Sequence, residues 1–337
     1  MKPRILKIDP RHIDLELIRQ AAEIARGGGL VAFPTETVYG LGANAFDPEA
    51  VTSIFEAKKR PLDNPLIVHI ADPKDLHRLA ENVPPEADKL VERFWPGPLT
   101  VVLKKTDLVP DIVTTGLDTI GIRMPSNTIA REFIAASGVP IAAPSANMFG
   151  RPSPTTAKHV IEDLKGRIDL VLDGGSTEIG IESTVVEFMD GRVIVLRPGG
   201  VDVEQLHGIA GSVEISSGAE RTGRSPGEYP QHYSPNARIM LVEDGHFQAE
   251  EALSAASGAG SRGQKVGIMA KQEHSALYDG FNVKVLGPEN DGRVCASRFF
   301  HILREFDAEK VDVIVAEGIP ERGLGLAIMN RLRKAAG

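Results

Sequence analysis

The sequence predicts an α/β protein: a twisted, mixed, open sheet with flanking helices, followed by a smaller α/β domain. Three observations carry this. Short apolar runs alternate with segments of helical spacing through the first two hundred or so residues. Two of those runs flank Asp190-Gly191, a two-residue hairpin signal that makes the sheet mixed. At 337 residues, the chain is also too long for one domain of the usual size.

From Asp14 to Arg26, the residues Leu15, Ile18, Ala22 and Ala25 recur at helical spacing, and Gly27-Gly28-Gly29 follows where a helix stops. Leu30–Phe33 reads as a buried strand running into Pro34-Thr35-Glu36-Thr37, and Pro48–Lys59 as a helix with its proline suited to the first turn. Apolar runs at Pro65–Ile70, Leu99–Leu103, Thr119–Met124, Val139–Ala143 and Leu170–Leu172 predict strands. Glu86–Phe94, Asn127–Ser137 and Thr156–Leu164 predict helices between them, and Ser183–Met189 with Val193–Leu196 form the hairpin.

Between Gly208 and Pro235, glycine, serine, proline and charge replace apolar periodicity. This predicts a linker over 208–236 that separates a first domain, 1–207, from a C-terminal domain, 237–337. In the latter, Ala237–Val242, Lys265–Ala270, Phe281–Leu286 and Val311–Ala316 predict strands, and Val294–Phe306 and Leu324–Lys334 predict helices.

Composition excludes several classes. Acidic residues outnumber basic ones for a net charge of −8, so the whole surface is no nucleic-acid glove, although a local basic groove is allowed. A single cysteine, Cys295, can make neither an internal disulfide nor a cysteine zinc cluster, which points to a reducing, cytoplasmic setting. No stretch approaches the roughly 20 apolar residues of a membrane span, so no membrane partner is expected.

Two motif matches fail on chemistry. Gly258–Gly263 fits the dinucleotide-binding pattern, but its strand follows the glycines, so the segment reads as a flexible surface loop. Gly223-Arg224-Ser225-Pro226-Gly227 fits a nucleophile elbow, yet Pro226 lacks the N–H that half of the oxyanion hole requires. There is no phosphate loop and no H-E-x-x-H pattern, so zinc is not expected.

The chemistry-bearing residues are scattered. Lys58-Lys59-Arg60 ends a helix and is followed by Asn64-Pro65 and a strand carrying His69. That cluster is either a cationic helix cap or an anion site, and His69 either a core histidine or a cleft residue. Ser145 and Asn147 leave a strand with hydrogen-bonding groups, as a turn or a ligand-binding loop. Arg123 sits in an apolar strand and Arg197 at a strand exit, where a structural ion pair is the alternative to an anionic ligand. Taken together, Thr35, Lys58, Arg60, His69, Arg123, Ser145, Ser183 and Arg197 mostly lie at strand ends or adjacent loops, where open α/β sheets hold ligands. Such a basic cleft suits polyphosphate, and an arginine lining it, such as Arg60, is expected to face solvent and contribute little to folding.

Gly29–Ala43, the lysine–arginine segment with Asn64-Pro65, Phe94-Trp95-Pro96-Gly97-Pro98-Leu99-Thr100, the Ser145-x-Asn147 turn and Glu182-Ser183-Thr184-Val185 resemble the YrdC/YciO family of threonylcarbamoyl-adenylate synthases over about residues 12–205. Ser225-Pro226-Gly227, His232-Tyr233-Ser234-Pro235 and the second domain resemble the family's long, two-domain form.

The resemblance implies a YrdC-like first domain and a Rossmann-like second one. It implies conversion of L-threonine, bicarbonate and ATP to threonylcarbamoyl-adenylate and pyrophosphate. The product serves N6-threonylcarbamoyladenosine modification of tRNA through separate transferase machinery, so direct tRNA binding is not required. Thr35, His69, Arg123, Ala143 and Ser183 would surround threonine, with Arg123 clamping its carboxylate. Lys58, Arg60, Asn64, Thr119, Ser145, Asn147, Arg197 and Tyr233 would serve ATP, with Lys58 and Arg60 at the reacting phosphate and Tyr233 in a closing lid. Magnesium is expected with ATP, without a dedicated protein metal site. The competing readings are an RNA-binding module, disfavoured by 5% aromatic content and no basic helix, and a regulatory nucleotide-binding protein sharing only the fold.

Overall fold

The computed structural model describes residues 2–216 and 232–337, which form two compact units. The first holds residues 2–149, 153–178 and 182–216, and the second holds 150–152, 179–181 and 232–337. The second unit therefore takes two short segments from within the first unit's sequence, and it anchors one of them by an Arg151–Asp307 ion pair at 2.9 Å.

The strands of the first unit are β1 (Arg4–Lys7), β2 (Val31–Phe33), β3 (Gly40–Asn44), β4 (Ile67–His69), β5 (Ala80–Glu81), β6 (Leu99–Lys105), β7 (Thr119–Arg123), β8 (Ile141–Ala142), β9 (Leu170–Asp173), β10 (Thr184–Met189), β11 (Arg192–Arg197) and β12 (Val213–Ile215). Their order is β1-β9-β2-β3-β8-β4-β7-β6-β10-β11-β12, with β5 paired to β6. The sheet is mixed as expected: β4–β7 and β6–β10 are parallel, whereas β6–β7 and the β10–β11 hairpin are antiparallel. Asp190 and Gly191 supply that hairpin's two positive φ angles, 49° and 73°.

Local chemistry sets the helix ends. Asp14 caps the helix Leu15–Arg26 through Glu16 and Leu17 N–H, and its buried stripe is Ile18, Ala21, Ala22 and Ala25. Asp47 caps Pro48–Lys58, and Lys59 ends that helix in the left-handed region at φ 52°.

Alternation along the strands divides the sheet into two faces. Val68, Val101, Ile122 and Val186 belong to a large core with the helices Pro48–Lys58, Pro85–Phe94 and Ala157–Leu164. Toward β1, β9 and β2 the opposite face is covered by Leu15–Arg26 and Thr128–Ser137, which pack Ile18, Ile129 and Phe133 against Phe33 and Leu172. Farther along, among the described residues, that face carries a small apolar floor of Ile67, Val102 and Val185, with Leu196 against it. Gly121 lies in register with both Ile67 and Val102.

In the second unit, β13 (Arg238–Val242), β14 (Val266–Lys271), β15 (Asn282–Gly287) and β16 (Val313–Glu317) form an all-parallel sheet in the order β13-β16-β14-β15. The helices Gln248–Ser261, Gly292–Glu309 and Leu324–Ala336 follow β13, β15 and β16, while β14 runs into β15 through a single 3-10 turn at Ser275–Tyr278. Glu317, fully buried at the end of β16, accepts from Lys271 N–H and the Tyr278 hydroxyl, each at 2.6 Å, and pairs with His274 Nδ1 at 2.6 Å. Burial alone would lower the Lys271 pKa, but its hydrogen bonds to Glu289 and Asp244 outweigh this and raise it.

Two expectations need correction. Gly258–Gly263 is not a surface loop, because the helix Gln248–Ser261 runs through most of it. Ala252, Ala256 and Ala259 bury one stripe of that helix, and a Cβ at Gly260 would meet nothing within 4 Å, so this glycine sits on the exposed side and packing on the opposite side holds the helix. The start of the expected linker is also regular. Asp202 and Gln205 form a reciprocal capping box on the helix Val203–Ala210, and β12 pairs in parallel with β11. The Gly223–Gly227 segment and Ser225-Pro226-Gly227 lie outside the described residues.

Candidate functional site

The loop from β2 to β3 carries Thr35, Glu36 and Thr37, all nearly inaccessible to solvent. Thr35 Oγ1 donates to the Val38 carbonyl at 2.7 Å and lies 2.8 Å from Thr37 Oγ1, which curls the loop onto itself. At the end of β7, Arg123 reaches this loop. Its Nη1 donates to Thr37 Oγ1 at 2.9 Å and its Nε to the Gly97 carbonyl at 3.3 Å. Arg123 Nη2 stands 2.7 Å from Glu36 Oε1, a close ion pair that is not aligned as a hydrogen bond.

His69 is the residue opposite Arg123 in the parallel β4–β7 register. Burial, reinforced by the Arg123 charge, pulls its pKa down from 6.5 to about 3, so its imidazole is neutral at physiological pH. Ala143 joins the same neighbourhood by donating its N–H to the Ile67 carbonyl at 2.9 Å.

The lysine–arginine segment is built into the protein. Lys58 is 1% exposed and its ammonium donates to the carbonyls of Ser145 and Asn147. Ser145 Oγ in turn donates to Asn147 Oδ1 at 2.5 Å, and the Asn147 amide to the Met148 carbonyl at 2.8 Å. The Ser145-x-Asn147 turn and the helix end that carries Lys58 therefore form one unit.

Arg60 departs from expectation: it is 7% exposed and does not face solvent. Its guanidinium donates to the Asn64 carbonyl at 3.1 Å, Asn64 Oδ1 at 2.6 Å and the Pro65 carbonyl at 2.9 Å. The proline-bounded turn folds back over the guanidinium because five donors on one planar group can satisfy several carbonyls at once. Asn64 Nδ2 has no hydrogen-bond partner among the described residues although it is buried.

Arg197, at the end of β11, donates through Nε and Nη2 to the Ser183 carbonyl at 3.2 and 2.9 Å and through Nη2 to Ser183 Oγ at 3.2 Å. Ser183 Oγ lies 2.8 Å from Thr100 Oγ1 on β6. Alternation puts Thr100, Gly121 and Arg123 on the face with the Ile67–Val102–Val185 floor. Thr119 shares that face but is half-buried at the opposite end of β7 from Arg123, about 13 Å away at the usual strand rise.

Tyr233 belongs to the second unit. It is 2% exposed and packs against His232 and Phe300, with the Arg331 guanidinium 5.7 Å from its ring centre. The predicted lid falls largely on residues 217–231, outside the described set. Glu36, Thr37 and Thr100 did not stand out in the sequence. The available signal for Glu36 was an acid between two threonines, at the exit of a wholly apolar strand.

The chain matches two family descriptions: "Telomere recombination", the Sua5–YciO–YrdC family, over residues 23–199, and "Threonylcarbamoyl-AMP synthase, C-terminal domain" over residues 201–337. It is 48% identical to the threonylcarbamoyl-AMP synthase of Pyrococcus abyssi over 328 residues, covering 95% of this chain and 94% of that one. Identity to the synthase of Bacillus subtilis is 46%, covering 95% and 93%. The crystal structure of P. abyssi Sua5 complexed with L-threonine superposes with a TM-score of 0.93 at 46% identity, covering 99% of this chain and 97% of that one.

Proposed function

This chain belongs to the Sua5–YciO–YrdC family in its long form with a synthase C-terminal domain, and from that premise we propose that it joins L-threonine, bicarbonate and ATP into threonylcarbamoyl-adenylate and pyrophosphate. One structural observation supports the reading above others. Lys58 at the end of the helix Pro48–Lys58, Arg60 in the turn that follows it, and Arg123 and Arg197 at strand ends are each at least nine-tenths buried in one unit. Acceptors and the Glu36 carboxylate around them offset the cost of burial, so the cationic groups are held in fixed positions that anionic substrates can approach.

In this proposal, Arg123 receives the threonine carboxylate at a position held by Thr37 and Gly97. Thr35, neutral His69, Ala143 and Ser183 bound the rest of the amino acid. Lys58, held on the Ser145-x-Asn147 turn, and Arg60, held with Asn64, meet the phosphates, together with Arg197; Thr119 and Tyr233 serve the nucleotide. The chemistry needs no covalent nucleophile. A carbamate oxygen attacks the α-phosphorus, pyrophosphate leaves, and fixed positive charge offsets what develops at phosphorus. Magnesium would arrive on the ATP phosphates as part of the substrate; among the described residues no group of three or more His, Cys, Asp or Glu is placed to hold a metal. The unstable adenylate would pass to separate machinery that modifies tRNA. A reducing cytoplasmic setting agrees with the buried, unpaired Cys295.

The test is pyrophosphate release from ATP. It should require both L-threonine and bicarbonate, and release that ignores threonine, or none from folded protein, would remove this reading.

A further inference from the structure

Buried polar atoms without a partner are rare, and several are concentrated at one place here. Among the described residues, neither carboxylate oxygen of Glu36 accepts a hydrogen bond, although the residue is 4% exposed. Arg123 Nη2 and His69 Nδ1 likewise have no hydrogen-bond partner among them. The three side chains are neighbours: Glu36 and Arg123 are an ion pair at 2.7 Å, and Arg123 is in register with His69. Together they present an anion, a cation and a neutral ring nitrogen, the complement of an α-amino acid with its ammonium, carboxylate and hydroxyl groups.

We infer that Glu36 binds the threonine ammonium and is the general base that frees the amine for carbamate formation. This rests on the reading in which L-threonine and bicarbonate are substrates. An ammonium has no lone pair, so one proton must leave before nitrogen can attack the bicarbonate carbon. That proton passes first to Glu36 Oε2; the freed amine then bonds to the bicarbonate carbon, and as the C–OH bond breaks a second N–H proton goes to the departing hydroxide, which leaves as water. Threonine ammonium and bicarbonate thus give the carbamate, one water and one proton held on Glu36, with charge balanced. Other groups are less suited. Taking a proton would make the His69 imidazole a second cation beside Arg123, whereas a proton on Glu36 creates no new positive charge. Among the other buried carboxylates of this unit, Glu182 accepts from Ser153 Oγ and Glu187 is also engaged.

Glu36→Gln and Glu36→Asp test the inference in both directions of the reaction. Forward pyrophosphate release should fall about 10²- to 10⁴-fold in Glu36→Gln, the usual worth of a general base, and recover in part in Glu36→Asp. ATP formation from threonylcarbamoyl-AMP and pyrophosphate bypasses amine deprotonation, so it should stay within about tenfold of the unsubstituted protein, far from a general-base loss. Equal losses in both directions, or a forward rate unchanged by Gln, would overturn the assignment and leave Glu36 as a positioning residue for Arg123. Should Glu36→Gln fail to fold, Glu36→Asp decides by the same forward-against-reverse comparison. If the unsubstituted protein itself released no pyrophosphate with threonine and bicarbonate, the synthase reading would fail, which is a separate outcome.

Discussion

Replacing Lys58 by Met separates phosphate binding from structural support. Met keeps most of the volume of a side chain that is 1% exposed, so cavity terms are small. The change removes an ammonium that donates to the Ser145 and Asn147 carbonyls. At a net contribution of about 1.5–3 kcal/mol for each hydrogen bond to a charged group, with desolvation already counted, the loss is roughly 3–6 kcal/mol, or a drop in melting temperature of about 6–24 °C for a unit of this size. The lost phosphate contact acts on top of this in the transition state, so in protein that stays folded kcat/KM for ATP should fall about 10²- to 10³-fold. Urea unfolding and pyrophosphate release on the same preparations measure both quantities. A stability loss large enough to account for the activity loss, or activity kept within tenfold, would refute the reasoning.

Three other outcomes are expected. His69 has a folded-state pKa of about 3 against 6.5 in its ordinary state, so between those values the unfolded chain binds a proton that the native protein does not; stability should fall as pH drops from about 6.5, by up to about 1.4 kcal/mol per pH unit, and an unchanged slope in His69→Leu would count against this. A Cβ at Gly121 would rest 3.4 Å from Ile67 Cγ1 and Thr100 Cγ2, ordinary contact, so Gly121→Ala should fold with native stability while Gly121→Leu raises the KM for substrate by blocking the floor; a normal KM in the leucine variant would place the ligands elsewhere. Glu317→Ala strands three hydrogen-bonding partners in the second unit and should cost roughly 3 kcal/mol or more, read as a lower melting temperature; no change would make that network dispensable.

Punctuation and period were the legible parts of the fold. Gly27-Gly28-Gly29, Pro48 and Asp190-Gly191 each mark a real boundary because backbone sterics act locally. β3, with sequence GLGAN, was not legible because its glycines answer to distant residues. A Cβ at Gly42 would lie 2.6 Å from Ile141 Cγ2 and 2.8 Å from Phe33 Cε1, so tertiary packing overrides weak strand propensity. The helix Gln248–Ser261 was hidden for the converse reason: its buried stripe is alanine, too weakly apolar to register as periodic.

The site followed the same division. Arg123 and His69 stand out as polar residues in apolar strands, and Lys58 as part of a cationic cluster at a helix end. Arg60 was misjudged because the folding of Asn64-Pro65 back over its guanidinium depends on three-dimensional hydrogen bonding. Glu36 escaped notice because its significance lies in the bonds it does not make.

The most direct measurement is to supply ¹³C-bicarbonate with L-threonine and ATP and follow the label by NMR and mass spectrometry. One labelled carbon should join the threonine nitrogen to the adenylate phosphate, with pyrophosphate formed in equal amount. Label left wholly in bicarbonate while ATP is consumed would rule out this chemistry.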